Sequence, residues 1–337
     1  MLDVYLPLVN WVDNSDARPL DYERDVLYRV DWSLLNVKSL AEKLAKEVEG
    51  ERSQVLRLMF AAETATDFLE ASRVQSVQEL VSFDPVYATR LIIDLLPNPW
   101  VARTVIGDLL KILRRRGFDD AKLGAASSYI LEELRAWLQQ QRDILAEQLF
   151  MADVAQERIQ FRLRADRTVW QIPREIETDR PKTARQLVRN SGGSIEKSLF
   201  SPIYQDDFNG SEAEFACYLD EAKALRWWHR NVAKAGNYWI QGWRKNRVYP
   251  DFIFAHERAG DTNRIFVWET KGDQLEGNLD TKYKRKLLET VSANYRAEDG
   301  FKAGTLELVG QDGEAVECEL VLMSEWKTEV RKKLGDE

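Results

Sequence analysis

Asp251, Glu269 and Lys271 join two hard oxygen donors to one ammonium, a minimal set for metal-assisted hydrolysis of a phosphodiester. They stand in Tyr249-Pro250-Asp251 and Glu269-Thr270-Lys271, with seventeen residues between the two acids. Mg²⁺, or Mn²⁺ in its place, takes one or two carboxylates and keeps several waters. A bound ion lowers the pKa of an attacking water and neutralises charge on the phosphate, while a neighbouring ammonium orients either one. Short motifs of common residues also recur by accident, and a Glu-x-Lys repeat on a strand often forms only a solvated ion pair.

The elements that must position these groups are strands. Side chains two apart on a strand share a face, so Glu269 and Lys271 stand side by side and Thr270 faces away. Arg264 to Trp268 is β-branched and aromatic enough to be the strand that carries them, and Val248 to Ala255 is expected as its hairpin partner or near neighbour. Gly260-Asp261-Thr262-Asn263 supplies the turn. Gly272 lets the chain leave the strand end sharply.

A further acid is expected from a helix beginning near Ser211. Ser211 as N-cap and Glu214 three residues on form a capping box, which makes Glu214 structural. Glu212 shares a face with Phe215, Ala216 and Leu219, and is either an auxiliary acid of the site or a first-turn acid favoured by the helix dipole. Ala222 to Val248 contains Lys223, Arg226, Arg230, Lys234, Arg244, Lys245 and Arg247 and no acid. Trp227, Trp228, Tyr238, Trp239 and Trp243 are interleaved, a mixture suited to phosphates and bases. Trp228 and Trp239 are expected in the core. The two histidines, His229 and His256, form no cluster with metal-ligand spacing. His229 is expected to be a hydrogen-bonded structural residue or a phosphate contact.

Taken in order, Ser211 to Asp220, Trp227-Trp228-His229-Arg230-Asn231, Tyr249-Pro250-Asp251-Phe252, Glu269-Thr270-Lys271-Gly272 and Asn278 to Lys284 resemble the C-terminal nuclease region of type III restriction enzyme Res subunits. These helicase-nucleases belong to the PD-(D/E)xK superfamily. The resemblance implies a restriction-endonuclease-like domain, a central mixed sheet flanked by helices, and Mg²⁺-dependent DNA cleavage in phage defence. It implies Asp251, Glu269 and Lys271 as the catalytic set, Asp251 and Glu269 as metal ligands and Glu212 as an auxiliary acid. Arg230, Lys245, Arg247, Lys282 and Lys284 are the expected DNA contacts. Such nucleases follow an ATP-driven motor, yet the chain has no Gly-x-x-x-x-Gly-Lys-[Ser/Thr] and no Asp-Glu-x-His box. The expectation is a part or subunit that works beside a helicase motor, with a methyltransferase or specificity subunit as a further partner.

The chain has 337 residues, room for two cores. Residues 1–152 read as a helical domain, 153–209 as a connector with short strands, and 210–337 as the nuclease domain. Within the first, apolar residues recur at helical spacing in Leu20 to Val48, Val55 to Leu69, Val77 to Leu96 and Lys122 to Phe150. Lys111, Arg114, Arg115 and Arg116 gather at a helix end before Gly117, as a dipole-favoured cluster or a DNA contact. In the connector, Ile159 to Arg164 alternates as a strand, with Trp170-Gln171-Ile172 as its partner. Thr281 to Tyr295 is expected as a basic helix after the site, Thr305 to Val309 and Val316 to Met323 as added strands, and Glu325 to Lys333 as a closing helix. Two cysteines suit a reducing cytoplasm, and no apolar run reaches membrane-spanning length. The net charge of −8 runs against nucleic-acid binding, but affinity follows local patches. Competing expectations are a non-cutting docking scaffold in a helicase complex, or a nuclease for RNA or branched repair intermediates.

Overall fold

The computed structural model describes residues 4–14, 16–48, 82–163, 168–177, 181–256, 264–271, 278–297, 316–322 and 325–334. The expected helix Val55 to Leu69, the turn Gly260 to Asn263, Gly272 and the strand Thr305 to Val309 lie outside them. Lys271 is described through its strand backbone alone, and its side chain lies outside as well. The protein is mixed α/β and divides into two compact units, Glu23–Met151 and Met1–Tyr22 with Ala152–Glu337.

Unit Glu23–Met151 is helical, and its helix starts are written into the sequence. The helices are α1 (Lys38–Val48), α2 (Pro85–Ile92), α3 (Pro99–Arg115), α4 (Asp120–Ala125) and α5 (Ser127–Ala155), the last turn of α5 belonging to the other unit. Asp84 and Asn98 cap α2 and α3, each followed by a proline at the first helical position, where its missing N–H costs nothing. Ala102, Val105, Ile106, Leu109, Leu110 and Leu113 form the buried stripe of α3. At its end Arg114 pairs with Asp120 at 3.1 Å and Arg116 with Glu42 at 3.5 Å, so two members of the basic cluster serve the unit itself. Between Leu20 and Lys38 the chain makes one π-helical turn and two short 3₁₀ turns instead of the continuous helix its apolar spacing suggests.

The other unit is built on sheets. Residues before Tyr22 form β1 (Tyr5–Pro7), β2 (Asn10–Asp13) and β3 (Asp16–Pro19), where the sequence suggested part of a helical domain. These strands are too short to show a period of two against the helical background. β4 (Ile159–Leu163) runs between β2 and β9 (Tyr295–Ala297), while β5 (Val169–Gln171) pairs with β1 and not with β4 as expected. Alternation marks a strand but does not name its neighbour.

The main sheet has the order β10-β8-β7-β6, made of β6 (Leu225–Arg230), β7 (Phe252–His256), β8 (Arg264–Lys271) and β10 (Val316–Leu322). β6, β7 and β8 are antiparallel neighbours, with Phe252 opposite Trp268 and Phe254 opposite Phe266. β10 is parallel to β8, a pairing that needs a crossover, and α7 (Leu279–Asn294) lies between them in sequence. One face packs against α6 (Gly210–Glu221) and α8 (Trp326–Leu334). Its core contains Phe215, Leu219, Trp228, Phe252, Phe266 and Trp268, and the rings of Phe215 and Trp268 stack at 5.5 Å. Aromatic pairs of this kind add about 0.5–1.5 kcal/mol beyond the area they bury. The connector extends the sheet edge: Leu199 N–H donates to Trp228 O, and Trp228 N–H donates to Lys197 O, each at 2.9 Å. Among the described residues, no helix is long and apolar enough to cross a membrane.

Candidate functional site

The site begins with Asn231, which follows the last residue of β6. Its amide donates to Pro250 O at 2.7 Å and Tyr238 O at 2.9 Å, and accepts from Tyr238 N–H at 2.9 Å. Its backbone N–H donates to Asp251 O at 2.9 Å. One buried side chain thereby closes the long excursion between β6 and β7 and delivers Asp251 to the strand start. No role for Asn231 is legible in the sequence beyond its place in a matching segment.

Asp251 is 22% exposed at its side chain and is held from two directions. Its Oδ2 accepts from the backbone N–H of Thr270 at 2.8 Å and from the Thr270 hydroxyl at 2.6 Å. Its Oδ1 faces Arg230 Nη1 at 3.4 Å. Thr270, expected to point away from the chemistry, is therefore the residue that fixes Asp251. It does so because the residue at the strand start turns its carboxylate toward the α6 face.

Arg230 joins two acids. Its Nη2 donates to Glu212 Oε1 at 3.0 Å, its Nη1 donates to the carbonyls of Asn231 and Asp251 at 2.7 and 3.1 Å, and its guanidinium lies 5.2 Å from the Phe252 ring centroid. Only 14% of its side chain is exposed, and Arg230, expected to contact DNA, stands between two acids of the chain. Glu212 also corrects the capping box. The N-cap is Asn209, whose Oδ1 accepts from Glu212 N–H at 2.9 Å while Glu212 Oε2 accepts from Asn209 N–H at 3.1 Å. Glu214 is exposed and pairs with Lys327 at 2.5 Å. The helix starts two residues earlier than a Ser211 cap would have it, which moves the third helical position from Glu214 to Glu212. One residue thus serves both as cap and as partner of Arg230.

Glu269 lies on the other face. It follows Trp268, which belongs to the α6 core, so strand alternation turns it toward α7. There Lys284 Nζ donates to Glu269 Oε1 at 2.7 Å and reaches Asp280 at 3.7 Å. Glu269 is 3% exposed, and Lys284 offsets its charge where water does not. Lys284 is thus partly buried in this pair, while Lys245, Arg247 and Lys282 of the expected DNA contacts are exposed.

The antiparallel register that sets Phe252 opposite Trp268 carries Asp251 and Glu269 to the same end of the sheet. Asp251, Arg230, Glu212 and Thr270 gather there; Glu269, Lys284 and Asp280 gather behind the strand. Among the described residues no group of three or more His, Cys, Asp or Glu side chains is arranged to hold a metal ion.

His229 is buried, with its ring 5.2 Å from that of Phe200. Burial pushes its pKa down to about 4, Arg230 adds to the depression, and Asn237 opposes it. It is neutral at pH 7, and its burial favours the structural expectation over the phosphate contact. Trp228 is fully buried, but Trp239 is only partly so, with the Arg247 guanidinium 3.8 Å from its ring centroid. A tryptophan at the end of a loop has a cation for a neighbour where a core position would have offered aliphatic side chains.

A second buried acid, Asp220, belongs to the framework. It accepts from Trp228 Nε1 at 2.9 Å, Arg189 Nε at 2.6 Å, Lys197 N–H at 2.7 Å and Glu196 N–H at 3.0 Å. Burial alone would raise its pKa, but these donors outweigh it and hold the carboxyl below its ordinary value. Arg189 of the basic connector is consumed here and at Glu196, 2.9 Å away. Cys217 and Cys318 are buried and in no disulfide, and Cys217 Sγ donates to Val188 O at 3.1 Å.

Neither family models, curated proteins nor solved structures give a match to this chain.

Proposed function

We propose that this chain is a metal-dependent endonuclease domain or subunit that hydrolyses DNA phosphodiester bonds within a type III restriction-like system. The observation that carries the reading is the placement of Asp251 and Glu269 at one end of neighbouring antiparallel strands, with Glu212 tied to Asp251 through one guanidinium. A mixed sheet flanked by helices agrees with a PD-(D/E)xK domain. Asp251 and Glu269 supply hard oxygen donors of the kind Mg²⁺ or Mn²⁺ takes, with water completing the shell; because the two side chains turn to opposite faces of the sheet, one ion would reach both only at the strand end. When bound, that ion supplies a water of lowered pKa and charge for the scissile phosphate.

The chain's own residues set the stage for it. Thr270 fixes one oxygen of Asp251 and leaves the other facing Arg230. Arg230 pairs with Glu212 and Asp251, and Lys284 pairs with Glu269, so each acid has a cation of the chain beside it. Lys271 follows Glu269 by two positions on β8 and is the proposed partner of the attacking water or phosphate. In this reading a helicase motor delivers DNA, a methyltransferase or specificity subunit selects the site, and the protein works in the cytoplasm.

A second reading rests on a specific observation. Each acid is already engaged by a cation of the chain, which also suits a docking scaffold that does not cut. Supercoiled plasmid incubated with Mg²⁺, Mn²⁺ or EDTA, with and without a motor, separates the two. Metal-dependent nicking lost in Asp251→Ala, Glu269→Gln and Lys271→Ala is the expected result. Nicking that survives all three overturns the site, and no cutting under any condition leaves the scaffold.

A further inference from the structure

We propose that the loop between Tyr238 and Val248 is a preformed platform for an unpaired nucleotide of single-stranded nucleic acid, with Trp239 as the stacking surface and Lys245 and Arg247 as the phosphate contacts. This deepens the nuclease reading and rests on it for the relevance of its position, because Val248 leads through Tyr249 and Pro250 directly to Asp251.

The first support is charge. Seven basic residues lie in Ala222 to Val248 with no acid among them. Arg230 is taken up by Glu212 and Asp251, and Arg244 lies 4.6 Å from the Tyr283 ring centroid and 3.9 Å from Asp280. Lys245, Asn246 and Arg247 are exposed in consecutive positions just before Val248. Lys223 and Arg226 are exposed at the start of the stretch, and the loop adds a second exposed basic cluster, on a chain whose net charge is −8.

The second support is rigidity. Ile240 and Val248 form a two-way backbone bridge at 2.8 and 2.9 Å. Within it Gln241 Nε2 donates to Arg244 O at 2.7 Å. Gly242 is pressed so close to α7 that an added Cβ would stand 2.6 Å from the Tyr283 hydroxyl. Asn231 holds the base of the loop at Tyr238 and Pro250. A platform fixed at base, middle and neck loses little entropy when it binds.

The third support is the aromatic group itself. The Arg247 guanidinium lies over one face of the partly exposed Trp239 indole, 3.8 Å from its centroid, so a base would stack on the opposite face or on the guanidinium plane itself. Bases inside a duplex have no free face to meet it, whereas unpaired bases stack on such rings regardless of sequence. That directs the inference to a single strand and away from duplex backbone alone.

The test is fluorescence anisotropy of the full chain with labelled oligothymidine and with a labelled duplex, in EDTA so that nothing is cut. The expected result is tighter binding of the single strand, weakened at least about fivefold in Trp239→Ala with little change in salt dependence. Lys245→Ala and Arg247→Ala should each reduce the slope of log K against log salt by about 0.7. Trp239→Phe, which keeps a ring, should retain most of the affinity at an unchanged Tm. Duplex binding as tight as the single strand, Trp239→Ala within twofold of the parent, or Trp239→Phe as weak as Trp239→Ala would overturn the platform. Binding that behaves as expected without any metal-dependent cleavage would remove the nuclease reading alone; cleavage with binding indifferent to Trp239 would remove the platform alone.

Discussion

Thr270 holds Asp251 by two hydrogen bonds to a single oxygen, 2.8 Å from its backbone nitrogen and 2.6 Å from its hydroxyl. A strand residue between two candidate catalytic groups thus reaches across to the neighbouring strand and sets the orientation of the first acid. Replacing the hydroxyl by a methyl group isolates its share. Thr270→Val should lower stability by about 1.5–3 kcal/mol, the range for a hydrogen bond to a charged group, read by urea denaturation. If Asp251 acts in cleavage, the variant should also need more Mg²⁺ for half-maximal nicking.

Arg230 serves Glu212 and Asp251 at once, so its removal leaves two acids facing each other. Arg230→Met should destabilise by about 2–4 kcal/mol, below the largest values for buried pairs because the acids keep some contact with water. Adding Glu212→Gln should recover part of the loss. Equal and additive effects in a double-mutant cycle would remove the coupling.

His229 predicts a pH dependence of known sign. Its folded pKa of about 4 lies below the ordinary value of 6.5, so between the two the unfolded chain binds a proton that the folded chain does not. Stability contributed by the neutral ring is complete above pH 6.5 and is lost as pH falls toward 4. The shift corresponds to about 2 kcal/mol at pH 5. Urea midpoints of the parent should fall between pH 7 and 5 by more than those of His229→Gln, and parallel curves would contradict the assignment.

Asp220 gathers four donors in a buried place, and Asp220→Asn cannot satisfy them all. The loss should be about 3–5 kcal/mol, in the range for breaking a buried pair by removing one partner. Because the folded carboxyl is held below its ordinary value, its contribution is present above that value and fades as the pH drops through the folded one. The part of the acid-induced loss that Asp220 contributes should therefore fall below the window set by His229, and the asparagine variant should lack that part.

Gly242 tests the packing of the loop on α7. Its missing side chain leaves room for Tyr283 and Leu287, whose atoms would stand 2.6 and 2.8 Å from a Cβ. Gly242→Ala should cost about 1–3 kcal/mol through overpacking, seen as a lower Tm. An unchanged Tm would mean that the loop and helix part without cost.

The sequence by itself determined the elements whose signals are local. The basic helix end before Gly117 closes α3, the β-branched and aromatic run Arg264 to Trp268 lies in β8, and the apolar positions of α6 fall on its buried face. The acids Asp251 and Glu269 were legible as a pair because strand geometry constrains residues close along the chain. What tertiary structure decided are relationships between distant residues, which leave no periodic trace. The capping box moved from Ser211 to Asn209 because Asn209 takes the N–H of Glu212, and Glu212 in turn faces Arg230, eighteen residues on. Arg230 and Lys284 read as solvent-facing cations, yet each stands against an acid brought near by the sheet. Tight pairing of that kind follows from burial: a carboxylate withdrawn from water must take the nearest cation the fold supplies, and its identity is set by three-dimensional packing and not by spacing.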